Sequence, residues 1–436
     1  MTELAALGTE EPMVIVGAGQ SGLQVAESLR AGGYEGRVVM LGEEPHPPYH
    51  RPPLSKAYLA GEAEAAQLTI RGPDALARKR IELRTGVAVA AIDRDARELA
   101  LSDGSRLRYA GLALTTGARV RRLPLPGADC GNVFGLRTLD DVHAIAQRLV
   151  DARDVVVIGG GFIGLEFAAV AAKQGKRVTV LEAAERLMAR VVAPPVSAFY
   201  VDLHRRHGVV VELGCVVSEI VAGDAPGSGR EGGIRHGGPD GDGGPDGRFA
   251  TGVRTADGRE HPADLVVYGI GVVPNDQLAV AAGLACDHGV IVDDCGRTAD
   301  PRVVASGDCT ARRLADGRLL RLESVQNAVE QGKSAAAALL GKERPFVASP
   351  WFWSDQYVAK LQMVGLSAGY DEVITRGDPD EGRFSVFYYA AGRLLAIDSI
   401  NQPQDHMTGR KLLDRGVSPT PAQAADSQFV LPSLLK

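Results

Sequence analysis

The chain has 436 residues, enough for two or three domains, and is 45% apolar but only 5% aromatic, with 53 glycines, a composition that suits a doubly wound α/β protein with many tight turns. Its formal charge of −6, from 48 basic and 54 acidic side chains, argues against bulk nucleic-acid affinity while leaving room for a local basic patch. No apolar run approaches the roughly 18 residues of a membrane span. The first twelve residues carry neither a basic n-region nor an apolar h-region, so the expectation is a cytoplasmic protein without a secretory signal. The five cysteines, Cys130, Cys215, Cys286, Cys295 and Cys309, show neither C-x-x-C nor C-x4-C spacing, which predicts a reducing compartment, no metal site and no redox disulfide.

Met13-Val-Ile-Val16 reads as a short buried strand, and Gly17, Gly19 and Gly22 follow it as G-x-G-x-x-G. A helix over Leu23 to Ala31 and a second strand, Arg37 to Leu41, lead to Glu43. In such a unit the first glycine makes the tight turn and the second lets the backbone approach a pyrophosphate. The third packs helix on strand, and the acid bonds an adenosine ribose. The segment from Glu44 to Lys56 is rich in proline between Pro45 and Pro53, so neither helix nor central strand is expected. A stiff surface loop is the plain reading; a rigid carrier that places Arg51 and Lys56 is the functional one. Leu68 to Ile70 and Val87 to Ile92 suggest short strands, and Glu98 to Leu107 a hairpin turning at Asp103-Gly104. Tyr109 to Ala118 is another buried strand, ending in Thr115-Thr116-Gly117, where open α/β sheets bind ligands.

Thr138-Leu-Asp-Asp141 opens an amphipathic helix with Thr138 as N-cap. The whole device then recurs. Val155 to Ile158 is a strand, Gly159, Gly161 and Gly164 repeat the glycine spacing, Leu165 to Gly175 is helix, and Arg177 to Leu181 ends on Glu182. Two complete fingerprints imply two dinucleotide sites. A flavoprotein taking hydride from a nicotinamide needs both. A helix over Val192 to Arg206 and strands Val209 to Leu213 and Cys215 to Val221 follow. Residues 223–247, rich in Gly, Asp and Pro, suggest a mobile hairpin tip. Asp264 to Asn275 is a strand and a small-residue turn that includes Gly271, and Val290 to Val292 is a short strand. Thr298 to Asp308 is a strand whose closing Asp308 either bonds a ligand or caps a following helix. Glu323 to Leu340 is a long Ala-rich helix. Trp351 and Trp353 then introduce period-2 strands, Ala359 to Val364, Glu372 to Thr375, Phe384 to Tyr389 and Leu394 to Ile400, of a separate α+β domain.

With these motifs in place, the sequence resembles the FAD-dependent ferredoxin reductases of bacterial oxygenase systems, the group of putidaredoxin reductase and biphenyl-dioxygenase ferredoxin reductase. Their fold is similar to that of glutathione reductase and apoptosis-inducing factor. Arg51-Pro-Pro-Leu-Ser-Lys56, Gly269-Ile-Gly-Val-Val-Pro-Asn275, Ser306-Gly-Asp308, Glu323-Ser-Val-Gln-Asn327 and Trp351-Phe-Trp-Ser-Asp-Gln356 carry the match, which runs from Met13 to about Asp414. The resemblance implies an α/β protein with two Rossmann-like domains, for FAD and NAD, plus a C-terminal α+β domain. The FAD domain would span 1–118 and 267–344, the NAD domain 119–266 and the last domain 345–436. It implies hydride transfer from NADH to FAD, then single electrons to a [2Fe–2S] ferredoxin serving a haem-thiolate monooxygenase or a ring-hydroxylating dioxygenase. Gly17, Gly19, Gly22 and Glu43 would hold the ADP half of FAD, and Arg51, Lys56 and Asp308 its flavin, ribityl or pyrophosphate parts, beside Thr116, Gly117 and Val325. Gly159, Gly161, Gly164 and Glu182 would hold NADH, with Arg190 and Gly271 as further cofactor-binding residues and Glu166 and Glu323 near the nicotinamide. Trp351 and Trp353 would lie over the flavin and beside the redox partner.

Glu182 favours NADH, because a carboxylate bonds a free 2′-hydroxyl and repels a 2′-phosphate, although Arg186 and Arg190 could soften that preference. Lys56 beside Glu166 would be an ion pair whose ammonium stabilises the reduced flavin; the alternative is a structural salt bridge between domains. No cysteine lies between residues 43 and 60, so a dithiol relay is not expected, and Cys309 reads as a small buried residue. The Trp pair is either an exit edge or part of a core. Lys360, Arg312, Arg313 and Arg410 are candidates for a basic patch facing an acidic ferredoxin. Competing readings are an NADH oxidase or peroxidase, which needs a reactive Cys or open access for oxygen, and a signalling or DNA-binding flavoprotein, disfavoured by the acidic balance. Rubredoxin is an alternative partner. No nucleic acid or membrane partner is expected, and the chain is expected to be a monomer or weak homodimer.

Overall fold

Four consecutive apolar residues make up the strand Met13–Val16 because its two faces meet two different cores. Met13 and Ile15 point into one cluster with Leu23, Leu29 and Leu339. Val14 and Val16 point into another with Leu99, Leu107 and Val290. This is a computed structural model, and it describes residues 11–223, 247–314 and 316–436. The glycine-rich stretch expected to form a hairpin tip lies almost wholly outside them.

The described chain divides into two compact units. Of the described residues, the first comprises those within 11–50, 64–119 and 272–352, and the second those within 51–63, 120–271 and 353–436. In the first, the sheet order is Val303–Ala305, Gly111–Leu114, Met13–Val16, Val38–Leu41, Ile81–Arg84, every neighbour parallel. Helices Gln20–Ala31 and Val325–Leu339 cover one face of this sheet. They approach closely because Gly332 has no side chain: a Cβ there would lie 3.0 Å from that of Gln24. In the second unit the parallel order is Val210–Glu212, Arg177–Leu181, Asp154–Ile158, Leu265–Tyr268, Val133–Gly135. A further five-stranded sheet, in this unit from Trp353 onward, runs Trp351–Gln356, Ala359–Gly365, Arg393–Ile400, Arg383–Ala390, Glu372–Asp378, with the last four antiparallel.

Three expectations need correction. Residues 68–70 are not a strand: Ala65–Leu68 is a single helical turn, closed by a capping box between Glu64 and Gln67, and only Thr69 bridges to Tyr49. The proline segment does form helix, one 3-10 turn over Pro52–Ser55 with prolines at its start, where a missing N–H costs nothing. A strand, Thr310–Arg313, follows Asp308, so there is no helix for that acid to cap.

Among the described residues no helix is long and apolar enough to cross a membrane. Thr138 caps the helix Leu139–Asp151 as its sequence suggests, accepting from the Asp141 N–H at 3.2 Å while the Thr138 N–H donates to the Asp141 carboxylate at 2.7 Å. Thr138→Ala is expected to destabilise the second unit by ~1 kcal/mol, read as a lowered urea midpoint with an unchanged slope.

Candidate active site

In the first unit, the carboxyl ends of three adjacent parallel strands present Gly17, Thr115 to Gly117 and Ser306 to Asp308 side by side, the place where open parallel sheets bind ligands. Gly17 has φ +109°, and a Cβ there would lie 2.2 Å from the Thr115 carbonyl oxygen. One on Gly22 would lie 2.0 Å from the Gly17 oxygen. Substitution is blocked at both. At Gly19 a Cβ would meet nothing within 4 Å, so that position opens on free space, as close approach of a dinucleotide requires. The helix that starts there has no acid in its first turn and no side-chain cap, leaving its N–H groups for an anion. The Thr115 hydroxyl ties the loop down, donating to the Val16 and Gly17 oxygens at 3.0 and 2.8 Å.

Asp308 is carried on an equally tethered turn. The Gly307 N–H donates to Gln331 at 2.8 Å, and the Ser306 and Ser21 hydroxyls meet at 2.7 Å. Thr116 and Asn275 exchange two bonds, hydroxyl to carbonyl at 2.5 Å and amide to carbonyl at 2.9 Å, which fix the turn holding Gly117. Glu43 is exposed just past the strand Val38–Leu41. Val325 is the first residue of its helix, capped by Ser324, so Glu323 lies before the helix rather than in it; it is exposed and pairs with Arg321.

The second unit repeats the cradle. Gly159 has φ +103°, with a virtual Cβ 2.8 Å from the Gly269 oxygen; that of Gly164 lies 2.3 Å from the Gly159 oxygen, whereas that of Gly161 has no neighbour nearer than 3.7 Å. Glu182 is held at the loop, one carboxylate oxygen accepting from the Gly160 N–H at 2.6 Å and the other from the Ala184 N–H at 2.8 Å. Arg186 turns away to bond the Ala189 and Val192 carbonyls and Ser197, so it has a structural use. Arg190 is exposed, its guanidinium 3.7 Å from where Gly271 would carry a Cβ. Both loops thus fit a dinucleotide.

In the same unit the proline turn delivers two side chains to one acid. Glu166, on the helix Phe162–Lys173, is 2% exposed. One of its oxygens accepts from Lys56 Nζ at 2.7 Å and Ser55 Oγ at 2.5 Å, the other from Ser354 Oγ at 2.6 Å. Lys56 also donates to the Pro52 carbonyl at 3.2 Å and keeps 19% of its side chain exposed. Arg51 donates to the Arg137 carbonyl at 3.0 Å. The pair is therefore internal to one unit and does not bridge two. Losing either partner would leave a charge in an enclosed site, a penalty of a few kcal/mol. Ser55 and Ser354 belong to motifs that the sequence singles out, but nothing local marks them as partners of Glu166. The one signal is a polar residue at an inward position of a strand: Ser354 and Gln356 are buried, while Trp351 and Trp353 alternate with them and are half-buried. The Trp pair is accordingly not a sealed core.

Arg312 leaves the candidate basic patch. Its guanidinium is largely enclosed, bonded to Asp294 and the Phe346 carbonyl and stacked 4.7 Å over the Phe346 ring. Arg313, Lys360 and Arg410 are exposed. Among the described residues one group has metal-ligand chemistry, Glu212, Cys215 and His261, where no metal site was expected. Arg259 already pairs with Glu212 there and lies 3.9 Å from the Cys215 sulfur, supplying the cation.

All five cysteines are free. Cys309 is fully buried with its thiol pushed up by desolvation, and burial pushes the half-buried Cys286 up to about 11. Burial also raises Cys130 and Cys215. None of these four is poised as a thiolate at neutral pH. An aromatic disulfide reagent at pH 7.5 is expected to react with the native protein only slowly and with all five thiols in guanidinium; fast reaction of one native thiol would contradict this reading.

The pyridine nucleotide-disulphide oxidoreductase family model matches residues 11–332, and a reductase C-terminal family model matches residues 351–435. Rhodocoxin reductase of Rhodococcus erythropolis is 44% identical over 420 residues, covering 96% of this chain and 93% of its own. Putidaredoxin reductase of Pseudomonas putida is 42% identical over 434 residues, covering 98% of both. Among solved structures, the ferredoxin reductase for the CYP199A2 system from Rhodopseudomonas palustris superposes with a TM-score of 0.89 at 44% identity, covering 97% of this chain and 99% of that one. The reductase in a covalent putidaredoxin reductase–putidaredoxin complex does so with 0.89 at 42%, covering 98% and 99%. With two glycine cradles and a match along nearly its whole length, the chain belongs to the pyridine nucleotide-disulphide oxidoreductase family, in the group of ferredoxin reductases that carry the reductase C-terminal domain.

Proposed function

We propose that the protein is an FAD-dependent NADH:ferredoxin reductase of the cytoplasm, serving a haem-thiolate monooxygenase or a ring-hydroxylating dioxygenase through a [2Fe–2S] ferredoxin. The observation that carries this is the presence of two complete glycine cradles in one chain, each with its own acid, Glu43 and Glu182. FAD held in the first cradle would supply the hydride-accepting and one-electron-donating chemistry between NADH and an outside acceptor. Gly17, Gly19, Gly22 and Glu43 hold its ADP half. Thr116, Gly117, Asp308 and Val325 line its path, and Arg51 and Lys56 serve its flavin end. Gly159, Gly161, Gly164, Gly271, Glu182 and Arg190 bind NADH, with Glu323 assigned to the carboxamide. Trp351 and Trp353 face the exit.

The Lys56 ammonium, held in place by the buried Glu166 carboxylate, is the preorganised positive charge for the reduced cofactor. The low thiol reactivity expected above favours direct exit of electrons over a dithiol relay. Glu182 selects NADH by bonding the ribose 2′-hydroxyl, and Arg186, committed to its own turn, offers no phosphate site.

Anaerobic stopped-flow tests the assignment. NADH is expected to bleach the flavin much faster than NADPH, and an oxidised [2Fe–2S] ferredoxin to restore its colour. Fast recovery with air and none with any iron–sulfur protein would instead identify an oxidase. Lys56→Ala is expected to retain FAD and slow bleaching by about 10²-fold; an unchanged rate would remove Lys56 from the chemistry. Glu182→Ala is expected to raise the KM for NADH while leaving kcat close to that of the parent.

A further inference from the structure

The polar chain that reaches Glu166 does not stop at Ser354. Ser354 Oγ accepts from Gln356 Nε2 at 3.2 Å, Gln356 Oε1 lies 2.9 Å from His204 Nε2, and the Tyr357 hydroxyl lies 3.5 Å from His204 Nδ1. Ser354, Gln356 and His204 are all buried, at 0%, 1% and 0% exposure. His204 comes from the helix Pro194–Arg206, Ser354 and Gln356 from the strand Trp351–Gln356, and Glu166 from the helix Phe162–Lys173, so the chain ties three elements of the second unit together.

Its direction follows from the carboxylate outward. An ionised Glu166 only accepts, so Ser354 donates to it, and the Ser354 oxygen is left to accept from the Gln356 amide nitrogen. That orientation of the amide turns its oxygen to His204. The imidazole must then carry its proton on Nε2 and present Nδ1 as an acceptor to Tyr357. Burial keeps the ring neutral, pushing its pKa down to about 4 despite the Gln356 bond, with nearby His207 adding to the shift. Every donor points the same way, so each bond polarises the next toward the Glu166 charge.

We propose that Ser354, Gln356 and His204 are positioning residues that hold the Glu166 carboxylate, and through it the Lys56 ammonium, in one orientation. Gln356 breaks any proton relay, because an amide does not pass a proton on by exchanging an N–H for an O–H at low cost; the chain orients and does not conduct. It acts on one oxygen of Glu166, while Lys56 and Ser55 share the other. Without Ser354 the first oxygen loses its only side-chain donor among the described residues, and the carboxylate is free to rotate off Lys56. The same strand register that lodges Ser354 and Gln356 inward sets Trp353 on the alternate face. The consequence for catalysis rests on the flavin role proposed for Lys56; the chain itself does not.

The test uses holoenzyme labelled with 15N-histidine, with the His204 signal assigned by its loss in His204→Gln. At pH 7 the wild type is expected to show a single neutral tautomer for His204, protonated at Nε2. Ser354→Ala is expected to release the Gln356 amide and give mixed tautomers, with bleaching of bound FAD by NADH slowed about tenfold in kcat and little change in KM. Ser354→Thr, which keeps the hydroxyl, is expected to restore both readouts. An Nδ1-protonated or charged His204 in the wild type would overturn the proposal without any variant having to fold. Wild-type bleaching rates in folded Ser354→Ala would overturn the positioning role. If Lys56→Ala leaves bleaching unchanged while the tautomers behave as described, the flavin reading of Lys56 fails and the chain stands.

Discussion

A carboxylate withdrawn from water is tolerated only when its charge is paired and its lone pairs are occupied, and Glu166 meets that condition with three donors drawn from two distant stretches of sequence. The proline turn at 52–55 exists to supply two of them. Prolines at its start fix the backbone, and the turn ends where Ser55 and Lys56 reach the same oxygen. The third donor, Ser354, ties the C-terminal sheet to the helix Phe162–Lys173. Packing around Glu166 and placement of the Lys56 ammonium are therefore the same problem.

The cradles obey a different constraint, that of space. At Gly17, Gly22, Gly159 and Gly164 the backbone approaches so closely that a methyl group would overlap it, while at Gly19 and Gly161 the surroundings are open. Both sorts of glycine are needed: the first sort folds the loop, the second leaves the loop approachable. That the arrangement occurs twice, on two parallel sheets, is what separates this chain from a single-site dehydrogenase.

These features differed in how far the sequence revealed them. Strands such as Met13–Val16 and Asp154–Ile158, and the capped helix after Thr138, were legible because their signals lie within a few residues: unbroken apolar runs, glycine spacing, a Thr-x-x-Asp cap. The Lys56–Glu166 pair was legible only through family resemblance, since nothing local joins positions so far apart. Ser354, Gln356 and His204 gave no signal beyond polar residues at inward positions, because hydrogen bonds between remote elements leave no periodic trace. The turn at 65–68 is hard to read from the sequence because 68–70, which overlaps it at Leu68, has strand-like composition, while the Glu64–Gln67 box that decides it is polar and short. Arg312 looked like a surface charge, and only the fold reveals Phe346 beneath it and Asp294 beside it.

The central claim is that Lys56 and Glu166 act as one unit, and a double-mutant cycle measures this directly. Lys56→Met, Glu166→Gln and their combination would be compared in the rate at which NADH bleaches bound flavin and in urea stability. The account predicts strong non-additivity, with the double variant no slower than Lys56→Met and more stable than it, because no unpaired carboxylate remains. Additive losses in both quantities would show that the two side chains act independently and would contradict it.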